Sequence, residues 1–486
     1  MHFNSTDFLL FFPIVTIFYF LLPHRYRWML LLAASCVFYM FFIPAYILIL
    51  IFTIIIDYVA GILIENSKAT HRKRFLMMSL IANIGVLAIF KYYNFFIENI
   101  NELFIHLNIT NTVIPYLNII LPIGLSFHTF QAMSYTIEVY RGNQKAERHF
   151  GIYSLYVLFY PQLVAGPIER PQHLLPQFRE EHFFDYKRIT DGLKLMTWGI
   201  FKKVVIADRL TLIVDQVYSN PHHYRGTGLI VATIFFAFQI YCDFSGYSDI
   251  AIGAAQVMGF RLMKNFNAPY LSSNVSEFWK RWHISLSTWF KDYLYISLGG
   301  NRMSIARWFL NLMIVFIVSG VWHGAKWTFV VWGAIHGFLL IIEIVKGMMA
   351  KRFSLELKGA FIKKINVAVT FSLFCIAWVF FRANSMPDAW YIITHFTDPF
   401  SKIHNTGIFS TLMGGVISHY SPIDWALSFI LIGVLIFSDN VEGKQGIINR
   451  INSLSPYKRW MIYYAIIILI LSIGKFGNTQ FIYFQF

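Results

Sequence analysis

Val315-Phe-Ile-Val-Ser319-Gly320-Val-Trp322-His323-Gly324-Ala325 sets an imidazole between two apolar runs, near 305–323 and 325–346. A run of about 20 apolar residues is what an α-helix needs to cross a bilayer core. An ionisable group at that depth is costly and marks a functional site by default. The stretch closes a longer one that opens at Ser276-Glu-Phe278-Trp279-Lys280-Arg281-Trp282-His283-Ile284-Ser285 and runs on through Trp289 and Lys291. Each half holds a histidine that follows a tryptophan.

The same apolar pattern recurs on both sides of this stretch. The 486 residues are 57% hydrophobic, 19% aromatic and only 13% charged, against about 25% charged in soluble domains. A transmembrane barrel would show alternating segments of about ten residues, and the apolar runs here are twice that. The chain is therefore expected to be an all-α polytopic membrane protein, one membrane domain over 1–486 with its central stretch at 241–337. The net charge of +15 fits cytoplasmic loops meeting anionic lipids of the bilayer, and no nucleic-acid partner is expected. Cys36, Cys242 and Cys375 lie in apolar segments without a CxxC pattern, which argues against a disulfide framework, a zinc or other metal site, and a cysteine nucleophile.

Spans are expected near 8–22, 27–43, 45–63, 75–92, 116–135, 193–217, 228–258, 305–323, 325–346, 365–383, 425–440 and 459–474, eleven or twelve in all. Positive charge follows the first span at Arg25 and Arg27, the reverse of a signal peptide, so this span is read as uncleaved with the N-terminus outside. Basic loops then fall inside at 65–74, at Arg141, Lys145 and Arg148, and at 346–364 and 443–459. Residues 93–115 and 384–424 fall outside. Residues 151–166, broken by proline and glycine, read as a re-entrant or interfacial element.

If 278–293 is one helix, Phe278, Trp282, Leu286, Trp289 and Tyr293 share a face, Lys280 and Lys291 lie opposite, and His283 sits on the shoulder. That is an interfacial helix, with Ser276 as its candidate N-cap; the alternative is an ordinary aromatic anchor. His323 is a candidate general base, since burial disfavours its charged form, with helix packing as the alternative; His336 is a weaker candidate of the same kind. Asp243 and Asp249 are six apart and make no carboxylate dyad; each is expected to hold a hydroxyl, an amide or a basic side chain. Phosphate-binding GxxxxGK[ST], HExxH and GxSxG motifs are absent.

The chain also resembles the membrane-bound O-acyltransferases, most closely their AlgI-like branch, which O-acetylates alginate. The resemblance rests on Leu121-Pro-Ile-Gly-Leu-Ser126-Phe127, Tyr160-Pro-Gln-Leu-Val-Ala-Gly166-Pro167-Ile-Glu169-Arg170 and Tyr241-Cys-Asp-Phe-Ser-Gly-Tyr-Ser-Asp249-Ile-Ala-Ile-Gly253. It continues with Asn265-Phe-Asn267-Ala-Pro269-Tyr270, the two histidine motifs, Gly299-Gly300-Asn301-Arg302 and the terminal Phe481-Ile-Tyr-Phe-Gln-Phe486. It implies a helical fold around a central tunnel, with His323 and His283 as catalytic residues. It implies acetyl-CoA as acyl donor with no tightly bound cofactor. The acceptor it implies is an extracytoplasmic polysaccharide, reached through an SGNH-hydrolase-like acetyltransferase partner at the bacterial inner membrane. On that footing Lys280, Arg281, Lys291 and Arg302 are expected to bind the coenzyme A phosphates. Within the family, peptidoglycan acetylation and D-alanyl transfer to teichoic acid stay open. Outside it, a transporter with a histidine relay and a scaffold that docks a partner are the rivals.

Overall fold

The computed structural model describes residues 1–109, 113–164, 166–353, 359–398, 420–445, 447–476 and 481–482. Every regular element among them is a helix. Among the described residues, eight helices are long and apolar enough to cross a membrane: Pro44–Asn66, Ala69–His106, Thr227–Met258, Ile305–His323, Trp327–Arg352, Ala360–Arg382, Pro422–Val441 and Pro456–Ile473. The remaining expected spans also hold helices, Thr6–Leu21, His24–Met40, Leu125–Arg141 and the run from Tyr186 to Ser219. The protein is a multi-pass, all-α membrane protein.

Several boundaries differ from expectation. Residues 93–106, expected outside the membrane as a loop, continue the preceding helix to His106 through a π-helical turn at Ala88–Tyr92. The helix expected from 116 starts only at Leu125, after an unwound stretch bounded by Pro115 and Pro122. Gly124 turns the chain into it at φ 77°, a left-handed conformation in which glycine carries no side-chain penalty. The interrupted segment 151–166 forms two short, buried helices, Phe150–Leu158 and Tyr160–Leu163. Residues 399–419 of the expected outer loop, 354–358 of one basic stretch and 483–486 of the terminal motif lie outside the described residues.

The chain divides into two compact units, residues 1–197 with 247–263, and residues 198–246 with 264–486. In the first, Ile47–Asn66, Ala69–Leu87 and Leu125–Arg141 pack together around a polar knot. There the buried Asp57 carboxylate accepts bonds from Ser79 Oγ at 2.6 Å and Asn83 Nδ2 at 2.9 Å. Such partners offset the cost of taking polar groups out of water.

In the second unit, Ile305–His323 and Trp327–Arg352 form a helical hairpin, joined by only three residues. Small residues let the two backbones meet. A Cβ on Gly320 would lie 2.2 Å from the Phe329 carbonyl oxygen, and one on Gly333 2.3 Å from that of Phe316. Close approach through small residues is the common device of membrane helix pairs, where lipid offers no hydrophobic driving force. Ala360–Arg382 and the short helix Val275–Trp279 pack against the second arm.

Candidate active site

The segment expected to be one helix over 278–293 is not one. It forms Val275–Trp279, a turn, Ile284–Trp289 and a π-helical stretch Phe290–Tyr295. The break falls at His283, whose backbone is left-handed at φ 43° and ψ 54°, uncommon for a residue other than glycine. Neighbours hold it there. Asn265 accepts a bond from Ile284 N on its carbonyl at 2.9 Å, and its side-chain oxygen accepts one from Ser285 Oγ at 2.6 Å. Asn267 N donates to the Arg281 carbonyl at 2.9 Å. The apolar stripe nonetheless survives the break: Phe278, Trp282, Leu286, Trp289 and Tyr293 are all buried.

The start of Val275–Trp279 is capped twice. Its N-cap is Asn274, whose side-chain oxygen accepts from Glu277 N at 2.7 Å, and not Ser276 as the sequence suggests. Glu343, from the Trp327–Arg352 helix, accepts from Val275 N at 2.7 Å and Ser276 N at 3.1 Å. A carboxylate facing a helix N-terminus satisfies orphan N–H groups and favours the dipole. This double cap fixes Trp279 against the hairpin.

His323 is the last residue of the Ile305–His323 helix and is buried. Its imidazole lies edge-on to Trp332 at 5.0 Å, Phe381 at 5.2 Å and Trp322 at 4.8 Å between ring centroids. Trp332 also contacts His336, at 4.8 Å. From Trp332 a run of rings leads through Trp378 at 6.0 Å to Trp282 at 5.0 Å, the residue before His283. His283 itself packs on Phe244 at 4.6 Å and is 1% exposed. Burial pushes its ring down to about 3, so it is neutral at physiological pH. The structure thus brings His323 and His336 to one shared indole, that of Trp332, and keeps His283 further along the aromatic run. Trp332, Trp378 and Phe381 were invisible as site residues, since isolated aromatics in apolar spans carry no pattern.

Of the four basic candidates, Lys280, Lys291 and Arg302 are exposed. Arg281 is engaged instead, with Nη2 2.7 Å from Glu277 Oε1 and Nη1 on the Asn267 carbonyl at 3.3 Å. Asp243 takes the basic partner expected of it: its Oδ1 lies 2.7 Å from Lys203 Nζ, while Oδ2 accepts from Ile482 N at 2.7 Å. Among the described residues no group of three His, Cys, Asp or Glu side chains is placed to hold a metal ion.

A buried imidazole at a helix end has the ring nitrogen that a general base needs. Aromatic rings around it shield it from water. The arrangement suits base-assisted transfer between bound groups.

Comparison with known proteins fits this chemistry. Residues 16–385 match the family model of MBOAT, the membrane-bound O-acyltransferase family. The chain is similar to a probable alginate O-acetylase, AlgI, of Pseudomonas aeruginosa, 40% identical over 394 residues that cover 80% of this chain and 74% of the relative. It is 35% identical to a peptidoglycan O-acetyltransferase of Helicobacter pylori over 386 residues, 74% of this chain and 71% of the relative. A teichoic acid D-alanyltransferase of Bacillus subtilis is more distant, at 24% over 283 residues, 56% of this chain and 71% of the relative.

Proposed function

The chain belongs to the membrane-bound O-acyltransferase family, and on that basis we propose that it moves an acetyl group from cytoplasmic acetyl-CoA towards an extracytoplasmic glycan. The glycan is alginate or a similar exopolysaccharide, and an SGNH-hydrolase-like partner makes the final transfer. The N-terminus lies outside, on the side of the acceptor, in the bacterial inner membrane.

The observation that carries this reading is His323, buried at the end of its helix among three aromatic rings. A thioester is already a good acyl donor. The protein has to bring a hydroxyl to it, take the proton and hold the charge that develops on the carbonyl oxygen. His323 takes the proton, a contribution of about 10²–10⁴-fold. Holding donor and hydroxyl together supplies several kcal/mol more. His283 is the second functional histidine; neutral, with Asn265 bonded to the residues after it and Asn267 to Arg281 before it, it orients groups at the other end of the aromatic run. Lys280, Lys291 and Arg302 bind the coenzyme A phosphates, and Arg281 supports them through its Glu277 pair. Peptidoglycan is the second acceptor to test, favoured by the Helicobacter relative.

Release of free coenzyme A from acetyl-CoA by the purified protein tests the reading directly. Turnover is expected in wild type and is expected to fall by about 10²–10⁴-fold in His323→Ala. A folded His323→Ala protein that turns over normally would place the base elsewhere.

A further inference from the structure

One buried histidine has no part in the chemistry above. His336 lies one turn beyond Trp332 on the Trp327–Arg352 helix, so the two rings share a face. It is fully buried. Its imidazole stands edge-on to Trp279 at 4.9 Å and to Trp332 at 4.8 Å, and lies tilted against Phe374 at 4.8 Å. Among the described residues, neither ring nitrogen of His336 has a hydrogen-bond partner, nor has the indole Nε1–H of Trp279 or of Trp332.

Leaving a buried polar group unpaired costs about 1–3 kcal/mol. Three residues of one aromatic cage carry that cost, where phenylalanine would fill the same space without it. The indoles are donors only, and a neutral imidazole adds one more N–H. A group that suits them must be small, uncharged on entry and rich in lone pairs. A thioester carbonyl oxygen meets all three conditions. The cage also adjoins the base, because His336 and His323 both contact Trp332.

We propose that His336, with the indole N–H groups of Trp279 and Trp332, forms the pocket that receives the acyl carbonyl oxygen during transfer. This rests on the acyl-transfer reading and adds to it the group that stabilises the oxyanion. The acceptor hydroxyl oxygen bonds to the carbonyl carbon as His323 takes its proton. The π pair moves onto the carbonyl oxygen, where the N–H groups hold it. On collapse the C=O bond re-forms and the C–S bond breaks. The departing thiolate takes the proton back from His323, leaving ester and free thiol. His336 is then a catalytic residue, and the two tryptophans share its task.

The experiment uses the full-length protein in detergent with acetyl-CoA labelled with 13C at the carbonyl. Steady-state release of coenzyme A gives kcat and KM, and isotope-edited infrared spectra give the stretch of the bound carbonyl. His336→Phe keeps the volume and removes the N–H. It is expected to lower kcat by about 10²–10³-fold, the usual effect of losing an oxyanion donor, with the acetyl-CoA KM little changed. His336→Gln, which restores a donor, is expected to recover much of that loss. The carbonyl band should lie at lower frequency on wild type than on His336→Phe. Trp279→Phe, which removes one N–H from a neighbouring helix, should lower kcat about tenfold and carries the test if His336→Phe fails to fold. A folded His336→Phe with wild-type kcat, or a carbonyl band unmoved between the two proteins, overturns the pocket while the acyl-transfer reading stands. Absence of turnover in wild type overturns both.

Discussion

Among single residues, His283 shows how a side chain acquires its chemistry from its backbone. The left-handed conformation costs of order 1–3 kcal/mol and persists only where surroundings over-determine it. Here Asn265 and Asn267 bond the residues on both sides. Burial then holds the ring neutral, with its folded value near 3 against about 6.5 in an unfolded chain. Below that unfolded value the unfolded state binds a proton that the folded state refuses. Stability from this group is therefore complete above about pH 6.5 and is lost as pH falls towards 3, at no more than about 1.4 kcal/mol per pH unit. The thermal unfolding midpoint of wild type should drop more steeply between neutral pH and about pH 4 than that of His283→Asn, chosen because asparagine tolerates the backbone. Parallel curves would remove the linkage. The type of residue was legible in the sequence, and the two flanking basic residues made it look like the shoulder of an interfacial helix. The break at His283 was not legible, because it depends on bonds from residues 265 and 267.

Among the helices, the hairpin of Ile305–His323 and Trp327–Arg352 aims the candidate base. Its arms meet where Gly320 and Gly333 face opposing carbonyls. Gly320→Ala would force backbone against backbone, three residues before His323. Overpacking of this kind costs about 1–3 kcal/mol, so a lower melting temperature and a loss of turnover are expected together. Gly347 lies on the same second arm, and a Cβ added there would meet nothing within 4 Å. Gly347→Ala is expected to be neutral or to stabilise by up to about 1 kcal/mol through helix propensity. Equal melting temperatures for Gly320→Ala and wild type would show that the close approach is not required. Both arms could be read from their apolar length. Their tight contact was signalled only by glycines, which equally well suggest room for a substrate. The short helix Val275–Trp279 hid more: its cap from Glu343 comes from 68 residues away in sequence.

Across the whole molecule, composition sets the class. With 13% charged residues and a net charge of +15, the basic side chains must concentrate in the parts that leave the membrane. Three of the four basic candidates near the site are exposed. If Lys280, Lys291 and Arg302 bind donor phosphates, replacing all three by Gln should raise the acetyl-CoA KM about tenfold with kcat nearly unchanged. The wild-type KM should also rise with added salt more than that of the variant, since exposed charge interactions are screened. An unchanged KM in the triple variant would leave these residues to lipid headgroups.

The membrane class, the helical content, the helical stretches and the two Trp–His motifs all follow from the order of residues alone. Bilayer thickness demands long apolar runs, and an imidazole stands out among them. Where the helices break, what caps them, and which aromatic rings enclose His323 and His336 emerge only in the folded chain. Those features arise from contacts between residues tens to hundreds of positions apart, and an aromatic residue in an apolar run looks the same whether it faces lipid or a histidine.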